Sequence, residues 1–561
     1  MALSLSPAAR ENLKDIFVCF SLGNLIFVRR WYDLEILQET GLDYLRPGPA
    51  SSTLLMSTLL AGLLLGTIFW IGWQWARQRG GLWIKFAHGC FLMALVFPLE
   101  SVRRYWNAEL GHADLATNMA LLSIEALLFI GLILALRGNP RVVRAGRHVA
   151  LIMTFMFPAL MIDFFSSHLN AEPDSAFQPK PPTAVQAVRA NAPRFIWIIF
   201  DEMDQGIAFN HRPASLQLPE LDRLRNESLE ADRATQTARY TGIAMPILVS
   251  GRPYRQTEVK GASRLDVFPE DSSEPVHWKD EHTVFHRARE LGVNAALAGW
   301  YHPYCRIFGD QMVDCFATST SQAGRALLRE RNAAQEGVLG MTAFLYRLQI
   351  ENIKDMYRFD GVSGSERLKE IYLQGLQQQE YFQIRDHAYA YAVDPRIGFL
   401  MLHFPAPHMY AIYNRSRRDF TLDSTIDYLD NLALVDRTVG ELRAKLEAAG
   451  LWDRTSILIT ADHGLRPELW QGHYGWNQNM ERISSQSASQ LVPFILKLGG
   501  KTGHRIVERP FSNIVSSDLA IAVLGGQIST ADQAADWIER RTADSVSSSN
   551  HPASPGPSGS R

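Results

Sequence analysis

The distribution of apolar and polar positions changes character near residue 168. Before it, apolar residues come in long blocks: Leu54–Ala76, Leu82–Leu99, Leu115–Leu136 and Val149–Phe165. A fifth block, Asp15–Val28, is interrupted by Ser21, Gly23 and Asn24. A helix needs roughly 20 mostly apolar residues to cross a bilayer. The pattern therefore predicts a helical transmembrane domain over residues 1–168 with four or five spans, five preferred. Residues 169–193 follow with Pro173, Pro179, Pro181, Pro182 and Pro193 and little apolar content, which reads as a linker.

From residue 194 short apolar runs of strand type alternate with helical periodicity. The runs are Phe195–Phe200, Ala295–Ala298, Gly398–Phe404, Ser456–Thr460 and Pro493–Leu498. Between Thr425 and Gly450, Leu429, Leu432, Val435, Val439, Leu442 and Leu446 recur at helical spacing, and Gly450 supplies a C-terminal stop. Such alternation predicts an α/β domain over 194–541, with a mostly parallel sheet and helices on both faces. The Ser/Pro-rich end, 542–561, reads as a disordered tail.

Charge sets the orientation. Arg77, Arg79 and Lys85 lie between the first two strong blocks, and Arg137, Arg141, Arg144 and Arg147 between the last two. Short basic loops stay in the cytoplasm. The α/β domain then falls outside it, anchored to the plasma membrane by several spans. Arg29 and Arg30 oppose this pattern, although Asp33, Glu35 and Glu39 follow at once. A net charge of −2 gives no sign of a nucleic-acid partner. Cys305 and Cys315 close a small disulfide loop if the compartment is oxidising, and are otherwise two buried thiols.

Sites on open α/β sheets gather at the carboxyl ends of strands. Here one strand run ends in Asp201-Glu202, another in Asp462-His463-Gly464, and a third at His403 with His408 five residues on; His473 follows in "WQGHYGW". Carboxylate and imidazole ligands suit zinc or manganese. Each residue alone has an ordinary explanation: Asp201 as a helix cap, His403 as a core histidine, Asp462 as a turn residue. Their recurrence at three strand ends is what suggests a metal. In "ARYTGIAMPILVSGR", Thr241 opens an apolar helical stretch. A hydroxyl there feels the positive end of the helix dipole, and a divalent cation would lower its pKa further. Simple capping of the helix is the alternative.

These segments together resemble the alkaline phosphatase/sulfatase superfamily, and within it the membrane-anchored phosphoethanolamine transferases and lipoteichoic acid synthase-like enzymes. "IIFDE" is similar to the opening strand and its metal-ligand acid. "TGIAMPILVSGR" is similar to the nucleophile segment, and "HFPAPH" to the paired-histidine segment of the transferases. "YLDNLALVDRTVGELRAKLEAAGLWDRTSILITADHG" is similar to the helix–strand unit ending in Asp-His-Gly. The resemblance implies Thr241 as catalytic nucleophile and Asp201, Thr241, Asp462 and His463 as holders of a zinc or manganese ion. It places His408, His473, Glu202 and His403 toward the substrate phosphate or a second metal. It implies transfer of a phosphoethanolamine or phosphoglycerol group from a phospholipid donor to an envelope glycan or lipid, through a phospho-Thr intermediate. The alternative is an extracytoplasmic phosphodiesterase, phosphatase or sulfatase-like hydrolase. The Cys/Ser-x-Pro-x-Arg segment that sulfatases convert to formylglycine is absent, and so are the Gly and Gly-Pro of the transferase histidine segment.

Overall fold

The computed structural model describes residues 6–27, 44, 51–90, 123, 127, 130, 133, 134, 137, 140–153, 178–187, 192–318, 336–356 and 363–548, apart from 424, 474, 486, 488, 489, 501 and 502. The chain divides into two compact units. One comprises Met1–Asp43, Pro47–Ser175 and Ala326–Phe359; the other comprises Tyr44–Arg46, Ala176–Arg325 and Asp360–Arg561.

The first unit is helical. Its described helices are Pro7–Ile26, Ser51–Arg79, Pro140–Met153 and Gly337–Met356. Among the described residues one helix is long and apolar enough to cross a membrane, Met56–Arg79. The expected spans Leu82–Leu99, Leu115–Leu136 and Val149–Phe165 fall wholly or partly outside the described residues. Asp15 is buried and held by Arg77 at 2.5 Å and Arg147 at 2.6 Å. The helix Gly337–Met356, far along the sequence, packs on Ser51–Arg79, where the Tyr346 hydroxyl donates to the Ala61 carbonyl at 2.7 Å.

The second unit is built on an eight-stranded sheet. In chain order its strands are β1 (Arg194–Phe200), β2 (Leu229–Ala231), β3 (Ala295–Trp300), β4 (Asp314–Thr318), β5 (Phe399–Phe404), β6 (Thr455–Ala461), β7 (Phe494–Lys497) and β8 (Arg505–Val507). Their order across the sheet is β8-β2-β7-β6-β1-β5-β3-β4. The pairs from β6 to β4 are parallel, whereas β7 is antiparallel to both neighbours. The sheet is therefore mostly parallel. Strand β1 shows why its sequence is continuously apolar. Ile196, Ile198 and Phe200 enter the core on one face, and Phe195, Trp197 and Ile199 the core on the other, all at most 1% exposed. A strand covered on both faces has no polar side to alternate with.

The helix expected between Thr425 and Gly450 runs from Tyr428 to Ala448 and starts in a capping box in which the Asp427 and Asp430 carboxylates accept each other's backbone N–H. A three-stranded antiparallel sheet over Tyr254–His277 stands apart from the large one. Cys305 and Cys315 are disulfide-bonded. The helix Ala531–Ser548 carries ordered chain past the boundary expected at 542, because Ala534, Ala535 and Ile538 bury its inner face.

Candidate active site

The three central strands β6, β1 and β5 run parallel and in register, with Phe200 opposite both Ala461 and Phe404. Their carboxyl ends therefore coincide, and the residues that follow meet. Asp201, Asp462, His463 and His403 are all completely buried there. The Asp201 N–H donates to the Phe404 carbonyl at 3.1 Å, and the His408 N–H to the Asp201 carbonyl at 3.2 Å. Asp462 turns one oxygen, Oδ1, to the backbone N–H groups of Glu202 and His463 at 3.2 and 2.9 Å. That bracing aims its other oxygen into the cluster.

The nucleophile segment forms the helix Thr241–Ser250, closed by Gly251 in the left-handed conformation at φ +67°. Thr241 is its first helical residue and not its cap, since Tyr240 occupies the cap position. The Thr241 hydroxyl stands 3.2 Å from Asp201 Oδ2 and 3.2 Å from His463 Nε2. Pro246 within this helix has no N–H for the Gly242 carbonyl four residues back. Thr257 takes over, its hydroxyl donating to that carbonyl at 3.3 Å. The helix is thus intact at the end that presents the nucleophile.

Three further separations define the donor cluster. His463 Nε2 is 3.4 Å from Asp201 Oδ1 and 3.4 Å from Asp462 Oδ2, and His403 Nε2 is 3.9 Å from Asp201 Oδ2. Donor atoms of Asp201, His403 and Asp462 all lie within 4.8 Å of one another. Three of these atoms, Asp201 Oδ1, Asp462 Oδ2 and His403 Nε2, are buried without a hydrogen-bond partner. Buried polar atoms are rarely left so. The His463 ring directs Nδ1 to the Gly464 carbonyl at 2.9 Å, and the His403 ring directs Nδ1 to the Tyr304 hydroxyl at 3.1 Å. The carbonyl partner makes His463 Nδ1 the donor and leaves its Nε2 lone pair facing the cluster, the arrangement that metal-binding imidazoles take; His403 turns its Nε2 to the same cluster. The residues present fit a divalent cation held by Asp201, Asp462, His463, His403 and the Thr241 hydroxyl.

Electrostatics agree. Burial, and then the charge of Asp462, push the Asp201 carboxyl well above the ordinary carboxylate range. Asp462 moves down, because the adjacent His463 and His403 and the Thr241 hydroxyl outweigh the cost of its burial. Two carboxylates this close divide their titration between them unless a cation keeps both ionised. Burial lowers His403 to about 4, so its imidazole is neutral and able to act as a ligand.

The remaining expected residues have contacts of their own. His403, expected toward the substrate phosphate or a second metal, has its ring nitrogen grouped with donor atoms of Asp201 and Asp462, because its strand lies directly beside β1. Glu202 is spent on its neighbours: its carboxylate accepts from the Arg466 N–H at 2.8 Å and the Trp470 indole at 3.1 Å, and pairs with the Arg466 guanidinium at 3.4 Å. It holds a left-handed backbone, φ +69°. His408 is buried beside the Trp300 ring and turns Nδ1 to the Met409 carbonyl at 2.6 Å. The His473 ring packs against Tyr410, with centroids 5.1 Å apart.

Sequence reasoning missed several supporting residues. Arg466 places a buried cation next to Asp201 and Asp462, and the ionised form is favoured by those acids and by Glu202 despite burial. Gln236 accepts from the Gly464 N–H at 2.8 Å, pinning the Asp-His-Gly turn. His302 lies behind the nucleophile, with Nε2 3.2 Å from the Thr241 carbonyl and Nδ1 2.8 Å from the Tyr44 hydroxyl. Burial lowers His302 to about 3, so it is a neutral hydrogen-bonding strut. Nothing in the local sequence signals these roles, because apart from the Arg466–Asp462 proximity the partners lie tens to hundreds of residues apart.

A hydroxyl at a helix N-terminus faces acids and imidazoles at the carboxyl ends of parallel strands, a donor arrangement that fits a metal-dependent enzyme. The family model described as Sulfatase matches residues 193–525, more than half of the chain. The chain therefore belongs to the sulfatase family, within the alkaline phosphatase superfamily, and is an enzyme of the sulfatase-like class. No match was found among curated proteins. Solved structures with a similar fold include a protein from Bacteroides thetaiotaomicron studied for metabolism of multiple glycosaminoglycans, at 14% identity and TM-score 0.41, covering 62% of this chain and 80% of that one. They also include the phosphonate monoester hydrolase of Silicibacter pomeroyi, at 15% identity and TM-score 0.36, covering 59% and 73%. Murine ectonucleotide pyrophosphatase/phosphodiesterase 5, in an inactive form with AMP, is similar at 10% identity and TM-score 0.33, covering 59% and 95%.

Proposed function

We propose that this enzyme transfers a phosphoryl substituent, of the phosphoethanolamine or phosphoglycerol type, from a phospholipid to an envelope glycan or lipid outside the cytoplasm. The observation that carries the proposal is the Thr241 hydroxyl, 3.2 Å from both Asp201 and His463 at the start of its helix. Threonine cannot become the formylglycine that sulfatases use, whereas it can carry a phosphoryl group. In the first half-reaction Thr241 Oγ1 bonds to phosphorus, and the bond from phosphorus to the diacylglycerol oxygen breaks. The hydroxyl proton ends on that oxygen, so diacylglycerol leaves neutral. In the second half an acceptor hydroxyl bonds to phosphorus, the bond to Thr241 breaks, and the acceptor's proton returns to threonine. A zinc or manganese ion, when bound, supplies positive charge that lowers the pKa of the hydroxyl and offsets charge on the phosphoryl oxygens.

The protein's own residues orient the group. Asp201 and His463 hold the hydroxyl, and Asp462, braced by two backbone N–H groups, fixes the position of its free oxygen. Free amides at the helix N-terminus favour an anionic phosphoryl group. Arg466, His408 and His473 are assigned to the substrate phosphate. The long apolar helix Met56–Arg79 and the Cys305–Cys315 disulfide support a membrane-anchored enzyme with an extracytoplasmic catalytic domain. The family match also favours a second reading, in which water replaces the acceptor and the enzyme is a hydrolase. Mass spectrometry of envelope lipids and glycans, from cells making the intact chain or Thr241→Ala, tests the choice. A phosphoethanolamine or phosphoglycerol mass difference that depends on Thr241 supports transfer. Its absence, with water-dependent release of product, supports hydrolysis.

A further inference from the structure

The helix Val284–Glu290 of the second unit lies outside the catalytic machinery and carries an unexplained arrangement. Val284, Phe285 and Ala288 are fully buried and fix the helix against the core. The start is set by Thr283, whose hydroxyl accepts from the His286 N–H. The opposite face presents His282, His286 and Glu290, spaced four residues apart. Residues at this spacing on a helix are neighbours. One donor atom from each lies within 4.8 Å of the others, and all three side chains are exposed.

The Glu290 carboxylate sits between the two imidazoles. Its Oε2 is 2.9 Å from His282 Nε2, and its Oε1 is 3.8 Å from His286 Nε2. The first separation is a hydrogen bond; the second is too long for one. The rings meet edge to face with centroids 5.1 Å apart. The helix's arginines are engaged elsewhere: Arg287 with Asp518, and Arg289 with the Asp310 carbonyl at 3.3 Å. The partners described for Glu290 are thus the two imidazoles.

The geometry points to a surface site for a divalent metal of the zinc class, bound by His282, His286 and Glu290. Two imidazole nitrogens and one carboxylate oxygen are a common zinc donor set. Donors about 2.0–2.1 Å from one tetrahedral ion stand about 3.3 Å apart. The present separations, 2.9 Å to Oε2 and 3.8 Å to Oε1, lie either side of that value, and all three side chains are exposed. Three protein donors leave one position for water or a fourth donor. The ion would join His282, just ahead of the N-cap, to Glu290 at the helix end, clamping the segment between. This site is independent of the one at Thr241.

The test is calorimetric titration of the full-length chain in detergent, stripped of metal, with zinc chloride alone. The chain is expected to show a weaker binding step of one equivalent besides the tight step of the buried cluster. His282→Ala/His286→Ala loses the weaker step and retains both the tight step and turnover. Glu290→Gln weakens it by at least the roughly tenfold that losing an outer-shell partner brings. Asp462→Ala, in contrast, loses the tight step and keeps the weaker one. All the surface substitutions are at exposed positions, so folding is preserved. The inference is overturned if the weaker step is absent, persists in the double variant, or vanishes with Asp462→Ala.

Discussion

Replacing Glu202 separates a bracing role from a ligand role. Glu202 is completely buried, and its carboxylate accepts from the Arg466 N–H, the Arg466 guanidinium and the Trp470 indole at 2.8, 3.4 and 3.1 Å. In Glu202→Ala the Arg466 charge stays buried without its carboxylate, and the indole N–H loses its acceptor. Breaking a buried ion pair by removing one partner costs about 3–5 kcal/mol. An orphaned buried donor costs about 1–3 kcal/mol more, but the two overlap, so about 5 kcal/mol is expected in all. At about 2 °C per kcal/mol for a large domain, the catalytic unit should melt about 10 °C lower. Glu202→Gln keeps one acceptor oxygen and should lose about 1–3 kcal/mol, or about 2–6 °C. Neither change removes a donor from the buried metal cluster. Metal per folded molecule should therefore stay at the wild-type level in both. Differential scanning fluorimetry, paired with elemental analysis of the folded fraction, reads both quantities. A Glu202→Ala protein that melts like wild type, or that loses metal while melting normally, would refute the reasoning.

Further outcomes follow from other parts of the site. Thr241→Ala should reduce turnover by about a thousandfold or more, since it removes the nucleophile; retention of a phospho-enzyme in that variant, seen by intact-mass analysis, would exclude Thr241. Tyr44→Phe leaves the His302 Nδ1 without its donor 2.8 Å away and should cost about 1–3 kcal/mol, read as a lower melting temperature. Asp436 is held at about 7, chiefly by burial and also by Glu220 and Asp222, against the backbone N–H groups of Leu221 and Glu220. Its folded pKa lies above its unfolded one, so the stability its proton confers is complete at low pH and lost as pH rises to about 7. Asp436→Asn should accordingly gain about 2 kcal/mol relative to wild type between pH 5 and 8, and a melting difference that does not grow with pH would refute this.

The local sequence marked the strand ends and little of what surrounds them. Strand β1 was legible because a strand covered on both faces is apolar throughout, and Asp201 stood out as the break in that run. The helix from Tyr428 was legible from its periodicity. Three short strands, β2, β4 and β8, were not legible, since three to five residues carry no usable period. Strand β7 was recognised, but its antiparallel direction was not, because a short apolar run has no polarity of its own.

By itself, the sequence settled which side chains were available for chemistry: a threonine opening an apolar helix, two aspartates and two histidines at strand ends, and an apolar N-terminal part. Tertiary structure alone decided their partnerships. The register of β6, β1 and β5 made His403 a neighbour of Asp201 and Asp462. Long-range packing turned Glu202 toward Arg466 and Trp470, brought Tyr44 to His302, and set the helix Gly337–Met356 against Ser51–Arg79. The physical reason is range. Propensity and periodicity act over a few residues, whereas a buried charge or lone pair is satisfied by whichever group the fold brings within about 3 Å.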